Sequence, residues 1–172
     1  MSDNKHITFD LSDYKDFFQK LKGAGEAFKK EAALFMEGLG IEFLRIVEDE
    51  ITRRNAVDTR LLLGSFHKGG DENVWELDEG GLTLEVGTNV KYAEYVNDGH
   101  WTNKTGVDSR FIPGEWNGDK FIYQPGAKTG MVLEQQWIAG KHYWESAIRI
   151  IEKMFPELLE PKIQQWLEQY FQ

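Results

Sequence analysis

The chain has 172 residues, 41% of them apolar, with 20 basic and 29 acidic side chains, a net charge of −9, four histidines and no cysteine. Its length suits one domain with an embellishment, since domains run to about 100–150 residues. The acidic balance disfavours a dedicated grip on nucleic acid or anionic membrane, which relies on Lys/Arg clusters. The absence of Cys removes disulfide scaffolds, zinc fingers, Fe–S sites and thiol catalysis. No apolar run approaches about 18 residues, and Met1–Asp10 lacks an apolar signal segment, so neither a membrane span nor a membrane partner is expected.

The charge is uneven. Residues 56–100 carry 3 basic and 9 acidic groups, a net −6, whereas residues 101–141 carry 5 and 4. A solubilising surface accounts for such a block as well as a functional field does.

The first 55 residues read as helical. Ser12 is placed to cap a short helix over Asp13–Leu21, with Tyr14, Phe17, Phe18 and Leu21 on one side. Phe28, Ala32, Phe35, Leu39, Phe43 and Ile46 then recur at spacings of three and four, flanked by Met36, Leu44, Val47 and Ile51, and predict a helix from Glu26 to Arg54. At 1.5 Å per residue it would span about 43 Å, the whole width of a domain this size. Gly38 and Gly40 inside it mark a close crossing or a bend.

The middle of the chain changes character. Leu61–Phe66, Val74–Leu77 and Leu82–Val86 read as strands, the last two joined as a hairpin through Asp78-Glu79-Gly80-Gly81. Val90–Val96 reads as a short helix ended by Gly99. Residues 101–138 read as an aromatic insertion: a loop at Phe111–Gly114, then Lys120–Tyr123 and Met131–Ile138 as a two-stranded arm. Trp144, Ile148, Ile151 and Phe155, then Ile163, Trp166 and Tyr170, predict a C-terminal helix in two pieces, broken near Pro156 and Pro161. Trp144 and Trp166 belong to the core on this pattern.

Chemistry-bearing constellations are not found. His6, His67, His100 and His142 share no metal-ligand spacing. Gly23-Ala24-Gly25 runs into Phe28 where a dinucleotide loop needs Gly, and Ser65 lacks a nucleophile-elbow frame. Glu48-Asp49-Glu50 reads as a solvated helix face. No catalytic residue, metal ligand or cofactor site is expected. With six Trp, a carbohydrate-binding or glycoside-cleaving module is the alternative outside the structural class.

The order of two motifs is more telling. Asp58-Thr59, Leu61 or Leu62 and Ser65 follow the long helix, and Val86-Gly87-Thr88, Tyr92-Ala93, Val96 and Gly99 follow the hairpin. Together they resemble the bacteriophage head–tail joining family of neck, tail-completion and minor capsid proteins, with its "P-x-D-T-G-x-L-x-x-S" and "V-G-T-x-x-x-Y-A-x-x-V-E-x-G-T" patterns. Gly130–Leu133 through Gly140–Trp144 resembles the subset from contractile-tailed, PBSX-like phages. Departures are Val57 near the family Pro, Arg60 for Gly, and Asn97-Asp98-Gly99-His100 for Glu-x-Gly-Thr. Physically, the motif residues read as fold determinants, with Asp-Thr a turn pair and Val-Gly-Thr a strand end.

The resemblance implies a single α+β domain over residues 1–172, a small antiparallel-rich sheet packed by a long N-terminal and a C-terminal helix, with the insertion as a protruding β-hairpin arm. It implies a non-enzymatic virion protein, made in the host cytoplasm, that forms a ring of six or twelve copies at the neck. Its partners would be its own copies, adjoining connector and tail proteins, and DNA as passing cargo; a tail terminator ring capping the tube is the alternative. Trp101, Phe111, Trp116, Tyr123 and Trp137 are then candidates for subunit contact, against the alternative that the arm covers its own sheet. Asp71, Glu72, Glu76, Asp78 and Glu79 are candidates for lining a lumen through which DNA slides.

Overall fold

The apolar positions between Phe28 and Ile51 lie on one continuous helix, α1 (Gly25–Arg53, 29 residues), in the computed structural model, which describes residues 5–15, 25–56 and 60–170. Ala32, Met36, Leu39, Phe43, Leu44, Ile46, Val47 and Ile51 are each at most 5% exposed. That buried set is wider than a single stripe, because α1 packs against both a sheet and the C-terminal helix. It belongs to the first of two compact units, Met1–Asn97 with Lys141–Gln172; the second is Asp98–Gly140.

The sheet of unit 1 has the order β1-β3-β2, from β1 (Lys5–Asp10), β2 (Asn73–Leu77) and β3 (Thr83–Thr88), all antiparallel. β1 corrects the helical reading of the N-terminal segment: Ile7 and Phe9 alternate with His6 and Thr8, a period of two. The register places Ile7, Val86 and Trp75 in one row and Phe9, Leu84 and Leu77 in the next, all toward α1. Phe9 meets Phe43 edge-on at 5.7 Å. The β2–β3 hairpin is as predicted. Asp78 fastens its turn, Oδ1 accepting from the Leu82 and Thr83 amides at 2.7 and 2.6 Å and Oδ2 from Gly80 at 2.9 Å.

Two further readings are corrected in unit 1. Ser12–Tyr14 forms a 3-10 turn, with the Ser12 amide donating to Asp10 Oδ1 at 2.7 Å; of the helix expected over Asp13–Leu21, residues 16–21 lie outside the described residues. Leu61–Phe66 is no strand: Arg60–Gly64 is the short helix α2, which sends Leu62 into the core. A run of four to six apolar residues carries no period to separate the two states. The C-terminal helix does not break; α4 (Tyr143–Tyr170) contains both Pro156 and Pro161. Both prolines are exposed, as are Glu152 and Glu157, whose carbonyls lose their helical donors and face water instead. Trp144, Ala147, Ile151, Leu159 and Trp166 hold the other side in the core, and Trp166 meets Phe28 and Phe35 edge-on at 5.3 and 5.9 Å. α3 (Ala93–Asp98) is the short helix expected before Gly99.

Unit 2 contains more sheet than a two-stranded arm. β4 (Gly99–Trp101) pairs with β8 (Trp137–Ala139), and β5 (Ser109–Asn117) is the middle of a β6-β5-β7 sheet with β6 (Lys120–Tyr123) and β7 (Gly130–Glu134). Phe111–Gly114 lies within β5. Pro113 is tolerated there because pairing passes at that point from β7, over Ser109–Pro113, to β6, over Gly114–Asn117. The run Met131–Ile138 divides at Gln135-Gln136, whose backbone turns to bond Asp108 and Thr102.

Gly40 is the close crossing and Gly38 is not. A Cβ at Gly40 would lie 2.6 Å from Leu84 Cδ2 and 2.8 Å from the Trp75 ring, whereas one at Gly38 would meet nothing within 4 Å. Gly40→Ala should therefore destabilise the protein by about 1–3 kcal/mol through overpacking. Gly38→Ala should stabilise it by about 0.5–1 kcal/mol through helix propensity. Denaturant unfolding of the two variants checks both signs.

Candidate functional site

The two sequence motifs meet in the core. Thr88 Oγ1 donates to Ser65 Oγ at 2.7 Å, Ser65 Oγ donates to the Leu62 carbonyl at 2.7 Å, and the Val90 amide donates to Thr88 Oγ1 at 3.0 Å. Ser65 and Thr88 have no exposed surface. Asn73 Nδ2 adds bonds to the Ser65 and Gly87 carbonyls. Gly87 itself is required by close approach: a Cβ there would strike the Lys5 carbonyl of β1. Val86 and Ala93 are core, and the Tyr143 hydroxyl donates to the Ala93 carbonyl at 3.2 Å. These motif residues hold the fold together; Asp58 and Thr59 lie outside the described residues.

Asn97, where the family pattern has Glu, closes a clamp. Its Oδ1 accepts from the Trp144 amide at 2.9 Å and so caps α4, while its Nδ2 donates to the Glu145 carboxylate at 2.8 and 3.0 Å. The Lys141 and His142 amides donate to the Val96 and Asn97 carbonyls, each at 2.9 Å. A Glu at position 97 would set two carboxylates against each other, so Asn97 and Glu145 suit one another.

The five acidic candidates do not form one cluster. Asp71 and Glu72 precede β2, Asp78 and Glu79 follow it, and Glu76 lies in mid-strand; all five are exposed. β2 is an edge strand, where charges also discourage unwanted pairing. Asp78 has the turn role already described. Glu76 stands opposite Glu85 in the register, and Glu85 Oε1 lies 2.9 Å from His6 Nδ1.

The aromatic candidates all lie in unit 2 and all are exposed: Trp101 55%, Phe111 54%, Trp116 58%, Tyr123 62% and Trp137 50%. Trp101 and Trp137 are cross-strand partners, with rings 5.3 Å apart at 63°. Trp116 and Phe121 make a second such pair at 5.3 Å, and Phe111 stands opposite Val132, itself 63% exposed. Among the described residues of this unit, only Asn103 and Gly114 are buried. The unit thus has a sheet without a buried apolar side chain beneath it.

One buried charge escaped the sequence reading. Glu50, expected on a solvated face, is 5% exposed; it accepts from Arg53 Nε and Nη2 at 2.7 and 2.6 Å and from Arg54 Nε at 3.0 Å, and Arg54 Nη1 also donates to the Lys141 carbonyl. The signal was present in the two arginines three and four residues on, beside the buried Ile51. These bonds, with Arg53 foremost and Ser146 contributing, hold the Glu50 carboxyl at about 2, against the opposing effect of burial.

A fold that uses its motif residues for packing and leaves an aromatic sheet uncovered defines the class: an α+β structural component that meets other proteins. The chain belongs to the HK97-gp10-like family, described as "Bacteriophage HK97-gp10, putative tail-component", whose profile matches residues 13–99. It is similar to the phage-like element PBSX protein XkdI of Bacillus subtilis (strain 168), 44% identical over 147 residues, covering 86% of this chain and 90% of that one. It is likewise similar to the uncharacterised protein YqbI of the same strain, 45% identical over 159 residues, covering 90% and 95%. No solved structure matches it. As a phage tail component it is a virion protein, and none of its described helices is long and apolar enough to cross a membrane.

Glu50 generates a pH prediction. Its folded pKa lies below the ordinary value of 4.5, so its stabilisation is complete above about pH 4.5 and is lost as pH falls toward about 2. Glu50→Gln should cost roughly 1–3 kcal/mol near neutral pH. The gap between wild type and variant should close across that acid window in urea unfolding series.

Proposed function

We propose that the chain forms a ring, most simply of six copies, at the head–tail interface of a contractile-tailed phage or phage-like particle, joining the connector to the tail and letting DNA pass. The observation that carries this reading is the second unit: 43 residues, Asp98–Gly140, built around two small sheets, with no buried apolar side chain among them and five exposed aromatics. A small sheet lacking its own core is completed by packing on something else. Membership in a tail-component family, and similarity to a protein named for the PBSX phage-like element, support the reading that this something is a neighbouring subunit or an adjoining virion ring.

The acidic block complements this role. Asp71, Glu72, Glu76 and Glu79, with Asp78 in its turn, present carboxylates around an exposed sheet edge. Facing a lumen, they would repel phosphates and keep the polymer from adhering.

Cryo-electron microscopy of particles tests the position. The chain is expected in a ring between the connector and the last tube layer; density capping the tube and sheath directly would make it a terminator, and a location away from the neck would overturn the proposal. Replacing Asp71, Glu72, Glu76 and Glu79 by their amides, with Asp78 kept for the turn, should slow genome passage in assembled particles. Unchanged DNA ejection would remove the lumen assignment.

A further inference from the structure

One antiparallel ribbon of unit 2 is unfinished on both sides. β7 pairs with the first half of β5, Ser109–Pro113, and β6 pairs with the second half, Gly114–Asn117, from the opposite side. Among the described residues no strand lies beside the first half on the side away from β7. Two bonds that bracket the β5–β7 ladder fix which backbone groups this leaves open. The Gln135 amide donates to the Asp108 carbonyl at 2.7 Å, and the Gly114 amide to the Thr129 carbonyl at 2.9 Å. Arg110 and Ile112 therefore turn their N–H and C=O toward β7, while Ser109 and Phe111 turn theirs outward. On the far side of the ribbon Val132 and Glu134 of β7 do the same. All four residues are exposed, and among the described residues no backbone partner reaches them.

We propose that β7 of a second copy of this chain occupies the open side of β5, so that the sheet runs on from copy to copy in the order β5-β7-β5-β7. This rests on the self-assembly proposed above, and supplies its contact. The ribbon itself selects the occupant. β7 is antiparallel to β5 and lies at the level of its open half, so copies set side by side in one orientation bring the two edges together in antiparallel sense. The outward groups recur every second residue on both edges. Phe111 can then exchange both bonds with Val132 of the neighbour while Ser109 exchanges both with Glu134. Each side chain meets the pairing it already has: Phe111 lies between two Val132 and Ser109 between two Glu134, with no like charges opposed. Pairing ends at Pro113, which has no N–H and whose carbonyl accepts from the Gln124 amide at 3.1 Å. Charge favours this unit over the other. Unit 2 carries 4 basic and 5 acidic groups, a net −1, whereas unit 1 carries 16 and 24, a net −8, and copies meeting through unit 1 would repel. The two edges differ, which makes the contact heterologous. Every copy gives one edge and receives one, the arrangement that closes into a ring.

Val132→Pro tests the contact in the full-length protein. It removes an N–H that faces away from β5, so the ribbon within each copy keeps its bonds. By light scattering the wild type should form oligomers, and the variant should be monomeric with its cooperative unfolding transition retained. Val132→Thr keeps the N–H and the branched shape and should assemble like the wild type. Hydrogen exchange of the wild type is a second readout, and decides the matter if Val132→Pro does not fold. On assembly the Ser109, Phe111, Val132 and Glu134 amides should slow by about tenfold or more, while Arg110 and Ile112, bonded within each copy, are slow already. Oligomers of Val132→Pro equal to those of the wild type, fast exchange at the four amides within an oligomer, or monomers at every concentration would overturn the proposal. Loss of assembly in Val132→Thr would do so too, by assigning the contact to the side chain. A neck ring in particles together with fast exchange would remove this contact and leave the ring; protected amides in a protein located elsewhere would do the reverse.

Discussion

The structure depends on covering α1 from two directions. A 29-residue helix with apolar side chains around more than half its circumference has no stable existence in water. The β1-β3-β2 sheet covers one side and α4 the other. The aromatic contacts follow from this arrangement: Phe43 meets Phe9 of the sheet and Trp144 of α4, and Phe28 and Phe35 meet Trp166 near the far end of α4. Gly40 sets how closely the sheet can approach. The hydrogen bond between Thr88 and Ser65 then locks the end of β3 to the segment that returns from α1.

Where the chain carried a strong period, the sequence was legible. α1 differs from its expected limits by one residue at either end, and the β2–β3 hairpin was announced by its Asp/Gly turn. Leu61–Phe66 was misread because six residues do not distinguish a buried helical turn from a strand, and β1 because its alternation is short and lacks turn signals. The prolines of α4 were given their usual weight as breakers, yet packing along one side outweighs two missing hydrogen bonds that face water. The family motifs were legible as order and spacing; that they converge on one buried hydroxyl pair is a tertiary fact.

The candidate site was legible as composition and illegible as geometry. The sequence showed that residues 101–138 are rich in aromatics, but their pairing across β4–β8 and β5–β6 follows from a strand register that no local signal specified. The acidic candidates are all exposed, and Asp78 also has a local task in its turn. Glu50 shows the limit of reading charge runs: three consecutive acidic residues on a helix point in three directions, and one of them faces inward. The protein that results divides into a packed first unit fixed by the motifs shared with its family and a second unit whose aromatic side chains are exposed.

The clamp at Asn97 bears on how such proteins diversify. Backbone bonds from Lys141 and His142 to Val96 and Asn97 bring the two ends of the second unit together inside the first. Once the ends of a segment are fixed, doubling its length costs only about 0.6 kcal/mol in closure entropy. The segment between Asn97 and Lys141 can therefore be lengthened, shortened or exchanged between lineages with little penalty to the body that carries it. Such a socket lets a particle change what one of its parts attaches to while the part itself stays the same.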